Sequence, residues 1–378
     1  MHTRGTFIYA IMTFFLPSHV IPVIKLSDGP KAGIVGYGVY IPWCRIKLSD
    51  IAEAWKLPMK PPGEKTVPYY DEDAVTMAVE AALNAIKHAK IDGSELGAVY
   101  VGTTSSPYLE KQVSTIIAEV VGASASAQRI DFTGSARAST AALIACVNAI
   151  RSGEVNYGLV IGTDVLVPPP GDREGMEFTM SAGAAALVLG KDNIIAEIEG
   201  FATYSTDFTE RWKNVEDQVP RVSLSRFSRE FGYIMHVEKA CKSLYEKLNL
   251  KPSDFKYAVF TEPPDPRGYL MRLAPKIGLT PAHIMAGMMP IAQFIGDCGC
   301  ASVLIALAAV LDMAKPRERI LMASYGSGCS DAFSIKVTDA IEAKRQKIVN
   351  TYINKKTYID YPTYLRFLKL YQMMYGMR

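Results

Sequence analysis

The 378-residue sequence predicts an α/β fold made of two pseudo-repeated halves. Internal repetition is the first reason. The strand-like run Ala98-Val-Tyr-Val-Gly102 ends in a polar turn, and Tyr257-Ala-Val-Phe-Thr261 does the same about 160 positions later. The small-residue helix ASTAALIACVNAI (138–150) has its counterpart in ASVLIALAAVLDM (301–313). YGLVIGTDV (157–165) is matched by RILMASYGSG (319–328), and SAGAAALVLG (181–190) by CSDAFSIKV (329–337). The second reason is alternation. The apolar runs are short and separated by helical patterns, as in strands buried on both faces by crossover helices. The third is length, since a chain of this size exceeds what one hydrophobic core serves.

Each element follows from local pattern. AGIVGYGVYIP (32–42) reads as the first strand. DEDAVTMAVEAALNAIKHA (71–89) has acidic N-cap candidates and apolar residues at helical spacing, and the amphipathic VEKACKSLYEKL (237–248) occupies the matching place in the second half. Residues 201–236 break the repeat and read as an inserted flap carrying Trp212 and several Arg. The expected organisation is an extension over 1–30, a first half over 31–200, the flap, a second half over 237–338, and a basic, aromatic tail over 339–378. That tail admits two readings, a protein interface or a segment folded back over its own domain. The apolar stretch TFIYAIMTFFLPSHVIPVI (6–24) suggests a signal or anchor, but Pro17, Ser18, His19 and Pro22 interrupt it and no clean cleavage site follows. An extension outside the fold, with no stable membrane insertion, is the preferred reading.

The bulk numbers exclude some functions. A formal net charge of +3 gives no argument for nucleic-acid binding. Six Cys at irregular spacings do not form a disulfide framework, which points to a reducing, cytoplasmic setting. No metal is expected either: Cys298 and Cys300 form a C-x-C pair that, even with Cys329, lacks a fourth ligand.

The stretch DFTGSARASTAAL (131–143) carries the chemistry question. A strand runs into small residues that open a helix, a setting where free N–H groups and the helix dipole steady an anion. No strong nucleophile stands there.

With GIVGYGVYIP (33–42), DEDAVTMAVEAA (71–82), VGTTSSPY (101–108), SARASTAAL (135–143), RFSREFGY (226–233), SYGSGCSDAF (324–333) and YIDYPTYL (358–365) in this order, the chain resembles the thiolase superfamily. In finer detail it resembles the archaeal 3-hydroxy-3-methylglutaryl-CoA synthase family, over residues 32–368. The resemblance implies a five-layer αβαβα arrangement and condensation of acetyl-CoA with acetoacetyl-CoA, in the mevalonate route to isoprenoids. It implies a Cys that takes the acetyl group as a thioester, a Glu general base, and a His and an Asn that orient and polarise the acceptor. This sequence departs at all four. The Cys position is Ala136, flanked by Ser135 and Ser139. The Glu position is Thr104, the His position Thr261 and the Asn position Asp297. Cys298, Cys300 and Cys329 are the candidate substitute nucleophiles, and His236 and His283 read as structural. Arg137, Arg221, Arg226, Arg229 and Arg267 are candidates for packing contacts or for contacts to the phosphates of a coenzyme A thioester, which is expected as substrate or ligand, with no covalent cofactor. The implied partners are a second copy in a homodimer, an acetoacetyl-CoA thiolase and a small zinc-ribbon/OB-fold bridging protein. The expectation is therefore a family member with impaired catalysis. The alternative is an active synthase, or another acyl-CoA transferase, that uses a substitute nucleophile.

Overall fold

In the computed structural model, residues 30–172, 175–261 and 266–370 are described; the expected N-terminal extension lies outside them but for Pro30. The first half runs β1 (Gly33–Tyr40), β2 (Cys44–Lys47), α1 (Leu48–Ala54), β3 (Glu64–Val67), α2 (Ala74–Ala89), β4 (Leu96–Gly102), α3 (Val113–Val120), β5 (Gln128–Phe132), α4 (Ala138–Ser152), β6 (Tyr157–Val165), α5 (Met176–Thr179) and β7 (Ala182–Gly190). The second runs β8 (Ala196–Ser205), β9 (Arg211–Trp212), β10 (Arg221–Val222), α6 (Ser225–Phe227), α7 (Met235–Leu248), β11 (Tyr257–Phe260), α8 (Pro266–Lys276), α9 (Pro281–Phe294), α10 (Ser302–Leu311), β12 (Arg319–Gly326) and β13 (Cys329–Val337). The chain continues through α11 (Ile341–Lys344), α12 (Ile348–Asn354), β14 (Thr357–Tyr358) and α13 (Tyr361–Phe367).

The main sheet has nine strands in the order β11-β12-β13-β8-β1-β7-β6-β4-β5. Read outward from the centre, β1-β7-β6-β4 and β8-β13-β12-β11 are the same sequence of elements, so the pairs matched in sequence occupy matched places. The halves meet where β1 and β8 pair through Gly33↔Glu197 and Ile34↔Ala196. Among the described residues only the first half carries an outer strand equivalent to β5.

Strand alternation builds the layers. On β4, Ala98 and Tyr100 join the core that contains α4 and α10, while Val99 and Val101 join the core beneath α2 and α3. Successive side chains thus serve opposite faces of one buried sheet. Helix α10 is buried on every side, as a helix apolar all round must be, and lies with α4 between the halves. On the far side α7 covers β8, β12 and β13. The order is helix, sheet, helix, sheet, helix. Helix α2 starts at Ala74, with Asp73 as its cap: the carboxylate accepts from the Val75 and Thr76 amides and the Thr76 hydroxyl returns to the Asp73 amide.

Three further features position the site. Strand β8 continues to Ser205, so the first residues of the expected flap lie within the sheet. Beyond it come the β9–β10 hairpin and a π-helical segment, Ser228–Ile234, that leads into α7. The tail folds back on its own chain: β14 adds to β2 in parallel and Tyr364 of α13 is buried. The Lys65 ammonium donates to the Met180 carbonyl at 2.9 Å and to the Tyr364 hydroxyl at 3.1 Å, which pins α13 to β3. Among the described residues no helix is long and apolar enough to cross a membrane.

Glycines at two strand ends let the loops close on the sheet. A Cβ at Gly102 would lie 2.2 Å from the Ser139 amide nitrogen, and one at Gly162 would lie 2.3 Å from the Cys300 carbonyl oxygen. Both obstacles are backbone atoms that have no rotamer to change. Gly162→Ala is therefore expected to destabilise the protein by about 1–3 kcal/mol in denaturant titrations. An unchanged midpoint would mean the Cys300 turn is not tightly seated.

Candidate functional site

The four expected positions converge at the carboxyl ends of the parallel strands, where open α/β sheets place their sites. Thr104 follows β4, Ala136 follows β5, and Thr261 follows β11; Asp297 precedes the short 3-10 turn Gly299–Ala301 that opens α10. A chain of hydrogen bonds joins them. At the end of β6 the fully buried Asp164 accepts through Oδ1 from the Thr104 amide (2.7 Å), the Thr103 hydroxyl (3.0 Å) and the Ser105 hydroxyl (2.8 Å). Its Oδ2 accepts from the Cys300 amide at 2.8 Å. The Ser139 hydroxyl donates to the Cys300 carbonyl at 2.6 Å, and the Cys300 thiol lies 3.4 Å from the Ser135 carbonyl. From there the Ser135 hydroxyl donates to the Gly326 carbonyl at 3.0 Å, and the neighbouring Tyr325 amide donates to Thr261 Oγ1 at 3.1 Å.

Ala136 lies at the turn between β5 and α4, one residue before the helix cap. The Ser135 carbonyl accepts from the Ala138 amide at 2.9 Å, so Ser135 closes the turn that leads into α4 and ties that turn to β12. Its hydroxyl is already committed to Gly326 and has no base beside it. The Thr261 hydroxyl oxygen accepts from the Tyr325 amide, and the Tyr233 hydroxyl donates to the Thr261 carbonyl at 2.7 Å.

Asp297 is buried and held from three sides. The Gly299 amide (2.8 Å) and the Ser302 hydroxyl (3.1 Å) donate to Oδ1, and Arg211 of the flap lies 3.7 Å from Oδ2. Burial pushes its carboxyl above the ordinary range, and Arg211 opposes that shift. The Cys298 and Cys300 thiols are buried and pushed well above their usual value, mainly by desolvation and then by neighbouring carboxylates. The nucleophile is the thiolate, and this setting disfavours it. Cys329, at the start of β13 opposite Gly326, is only half-buried. Among the described residues no group of three or more His, Cys, Asp or Glu is placed to hold a metal.

The arginines separate into different roles. Arg137 turns inward, its Nη1 lying 2.6 Å from Oδ2 of the fully buried Asp331, which also accepts from the Thr140 and Thr203 hydroxyls at 2.7 Å each. That guanidinium balances a buried charge. Arg221 pairs with Asp217 at 2.7 Å, and Arg229 pairs with Glu230 at 3.2 Å and lies over the Tyr269 ring. Arg226 is exposed on α6. The Arg267 side chain lies outside the described residues. His236 is buried and bonded to the Thr206 hydroxyl and the Gly232 carbonyl, while His283 caps α9 with Thr280, so both are structural.

Sequence reasoning missed Asp164, Asp331, Arg211 and Glu210. An Asp within the apolar run of β6 was a visible signal for the first. The flap pair Glu210–Arg211 carried none. Glu210 lies under the π-helical segment, where it bonds Tyr325, and burial raises its carboxyl to about 7. A Cβ at Gly232 would lie 2.4 Å from its Oε2, so the packing is close.

The linkage has a definite sign. Below the ordinary value of 4.5 both states hold the proton; between 4.5 and about 7 only the folded state does. The stability this group contributes is therefore complete at low pH and is lost as pH rises through that window, at up to about 1.4 kcal/mol per pH unit. Denaturant titrations across the window should show the slope in the parent chain and a shallower one in Glu210→Gln. Equal slopes would show that Glu210 is solvated.

No family model matches the chain. Curated relatives do. It is 41% identical over 354 residues to the hydroxymethylglutaryl-CoA synthase of Methanocaldococcus jannaschii, covering 90% of this chain and 100% of the relative. It is 40% identical over 344 residues to that of Pyrococcus furiosus, covering 90% and 96%. Among solved structures, an MvaS in complex with 3-hydroxy-3-methylglutaryl coenzyme A superposes with a TM-score of 0.81 at 21% identity, covering 90% of this chain and 92% of that one. An HMG-CoA synthase complexed with CoA superposes at 0.79 and 19% identity, covering 88% and 89%. The shared architecture is the thiolase-like fold expected from the repeat. With archaeal relatives at about this identity along nearly its whole described length, the chain belongs to the hydroxymethylglutaryl-CoA synthase family.

Proposed function

We propose that this chain is a catalytically impaired paralogue of hydroxymethylglutaryl-CoA synthase that binds an acyl-CoA thioester without condensing it. The observation that carries the reading is Ala136 at the turn before α4, in a frame otherwise assembled. The turn itself carries no cysteine; the Cys300 thiol that reaches it, 3.4 Å from the Ser135 carbonyl, and the Cys298 thiol are buried in settings that favour the protonated form. Thr104 stands where a general base is needed and Thr261 where a polariser is needed. Groups that act as a unit fail together, so family-type turnover is expected to be lower by roughly 10⁴-fold or more.

Binding is the function left to the site. The acyl thioester would enter at the strand ends, with exposed Arg226 and Arg221 of the flap as the phosphate contacts; Arg137 is spent on Asp331. The protein would act in the cytoplasm as a structural or regulatory subunit. Its partners would be a second copy along the edge strand β5, an acetoacetyl-CoA thiolase and a zinc-ribbon/OB-fold bridging protein. Support for the first is the open edge of β5, with Ile130 40% and Leu109 90% exposed beside it.

One observation favours the rival reading of an active acyl-CoA transferase. Cys329 is half-buried and pairs in register with Gly326, whose carbonyl holds Ser135. A single experiment separates the two. The protein is titrated with CoA, then incubated with acetyl-CoA and acetoacetyl-CoA, with product and intact mass followed together. The proposal expects CoA binding, no acetyl adduct and no condensation product. A hydroxylamine-labile adduct that maps to Cys329, or product formation, would sink it.

A further inference from the structure

At the foot of the fold, opposite the strand ends that carry the site, the last turn of α2 and the end of α11 with Arg345 and Gln346 border an open cavity of about 350 Å³. We propose that this cavity binds a small polyphosphate anion, one that presents two or more linked phosphates.

The walls are built rather than accidental. His88 accepts from the Tyr37 amide through Nδ1 at 3.0 Å, which leaves Nε2 to donate to the Lys344 carbonyl at 2.6 Å. Gln346 Nε2 donates to the Tyr37 carbonyl at 3.2 Å, and the Lys344 ammonium donates to the Val35 carbonyl at 3.3 Å. These contacts clasp the tail to the start of β1 and fix the cavity's shape. His88 is a neutral wall, because burial pulls its pKa down and the Tyr37 amide occupies Nδ1.

Charge decides what the cavity takes. Lys87, Lys90, Lys344 and Arg345 line it, and no carboxylate does. Among the described residues none of the four forms an ion pair. Their charges are close enough to oppose one another: after burial, Lys90 is the next influence that lowers the Lys344 ammonium. The carboxyl end of α2 offers about half a negative charge and the buried Asp312 lies near enough to Arg345 to interact with it, which together still leave the lysines unbalanced. A larger depression of about 700 Å³ shares Arg345 with the cavity, but there Lys315 and Arg317 face Asp339 and Glu342. That side is already balanced, so the anion belongs with Lys87 and Lys90. Lysines bind phosphate oxygens as mobile point charges, and a diphosphate or triphosphate can engage several of them at once. A single carboxylate would neutralise one.

The site rests on neither the acyl-CoA reading nor the residues at Ala136. The test is calorimetric titration of the full chain with inorganic pyrophosphate and with inorganic triphosphate, at low and at moderate salt. The parent should bind both, triphosphate the tighter, with affinity falling as salt rises. The double variant Lys87→Gln/Lys90→Gly should lose at least tenfold. Both positions are exposed, and Lys90 has φ 60°, a conformation glycine adopts freely, so the variant should fold. Lys242→Gln, which removes one of the two ion-pair partners of Glu238 on α7, should bind as the parent does. CoA titration should be unchanged in the double variant, which separates this cavity from the acyl-CoA site. Absence of binding at low salt, or equal binding by parent and double variant, would overturn the proposal. So would an oligonucleotide that binds tenfold more tightly than triphosphate.

Discussion

Asp164 is the interaction on which the rest of the site depends. A carboxylate buried without partners is strongly unfavourable, and this one is buried completely. It is tolerated because donors on four successive contacts face it: Thr103, Thr104 and Ser105 from the loop after β4, and the Cys300 amide from the turn before α10. Charge-assisted bonds of this kind are about twice as strong as neutral ones. One anion therefore ties a loop of the first half to a helix start of the second. The Asp331–Arg137 pair does the same in the other direction, joining the start of α4 to β13. Close backbone approach at Gly102 and Gly162 leaves these ties no room to slide.

This arrangement explains how a frame can outlive its reagents. Thr104 is held by its amide, Thr261 by a hydroxyl bond to the backbone of β12, and Ala136 by nothing beyond its neighbours. The loops meet through bonds to which Thr104, Ala136, Thr261 and Asp297 contribute little with reactive groups, which is what the proposed loss of turnover requires. Loss of Asp164, by contrast, would strand several buried donors. Structure and chemistry are carried by different residues. That is the physical condition under which a paralogue can lose turnover and keep its fold. The Asp297–Arg211 contact fits the same pattern, since a charged residue at that position gains a counter-ion from the flap.

Much of the fold was legible because it is written locally and twice. The repeat gave the matched strands, and helical spacing with Asp73 marked α2, although the helix begins only at Ala74. The fully apolar α10 could be recognised as central. Motif order singled out Thr104, Ala136, Thr261 and Asp297, and all four lie at loops beyond the strand ends, the place the proposed site occupies. What escaped depends on contacts distant in sequence. Arg137 read as a phosphate or packing residue, and its ion-pair partner Asp331 lies on a strand of the other half, where no local pattern could reveal it. Asp164 was read as part of a strand ending, with nothing local to show that a turn near Cys300 would donate to it. Glu210 and Arg211 lie in the flap, where no periodicity marks which side faces in. The tail's two readings differed only in tertiary contacts, and Tyr364 with Lys65 decided between them.

The central claim is that the frame is complete and only the reagent is absent. Intact-mass measurement of acetyl transfer from acetyl-CoA to the Ala136→Cys variant tests it most directly. The account predicts no adduct on the parent and one hydroxylamine-labile acetyl group on the introduced thiol, steadied by the α4 amino end. An acetylated parent, or a variant that binds CoA yet stays unmodified, would contradict it.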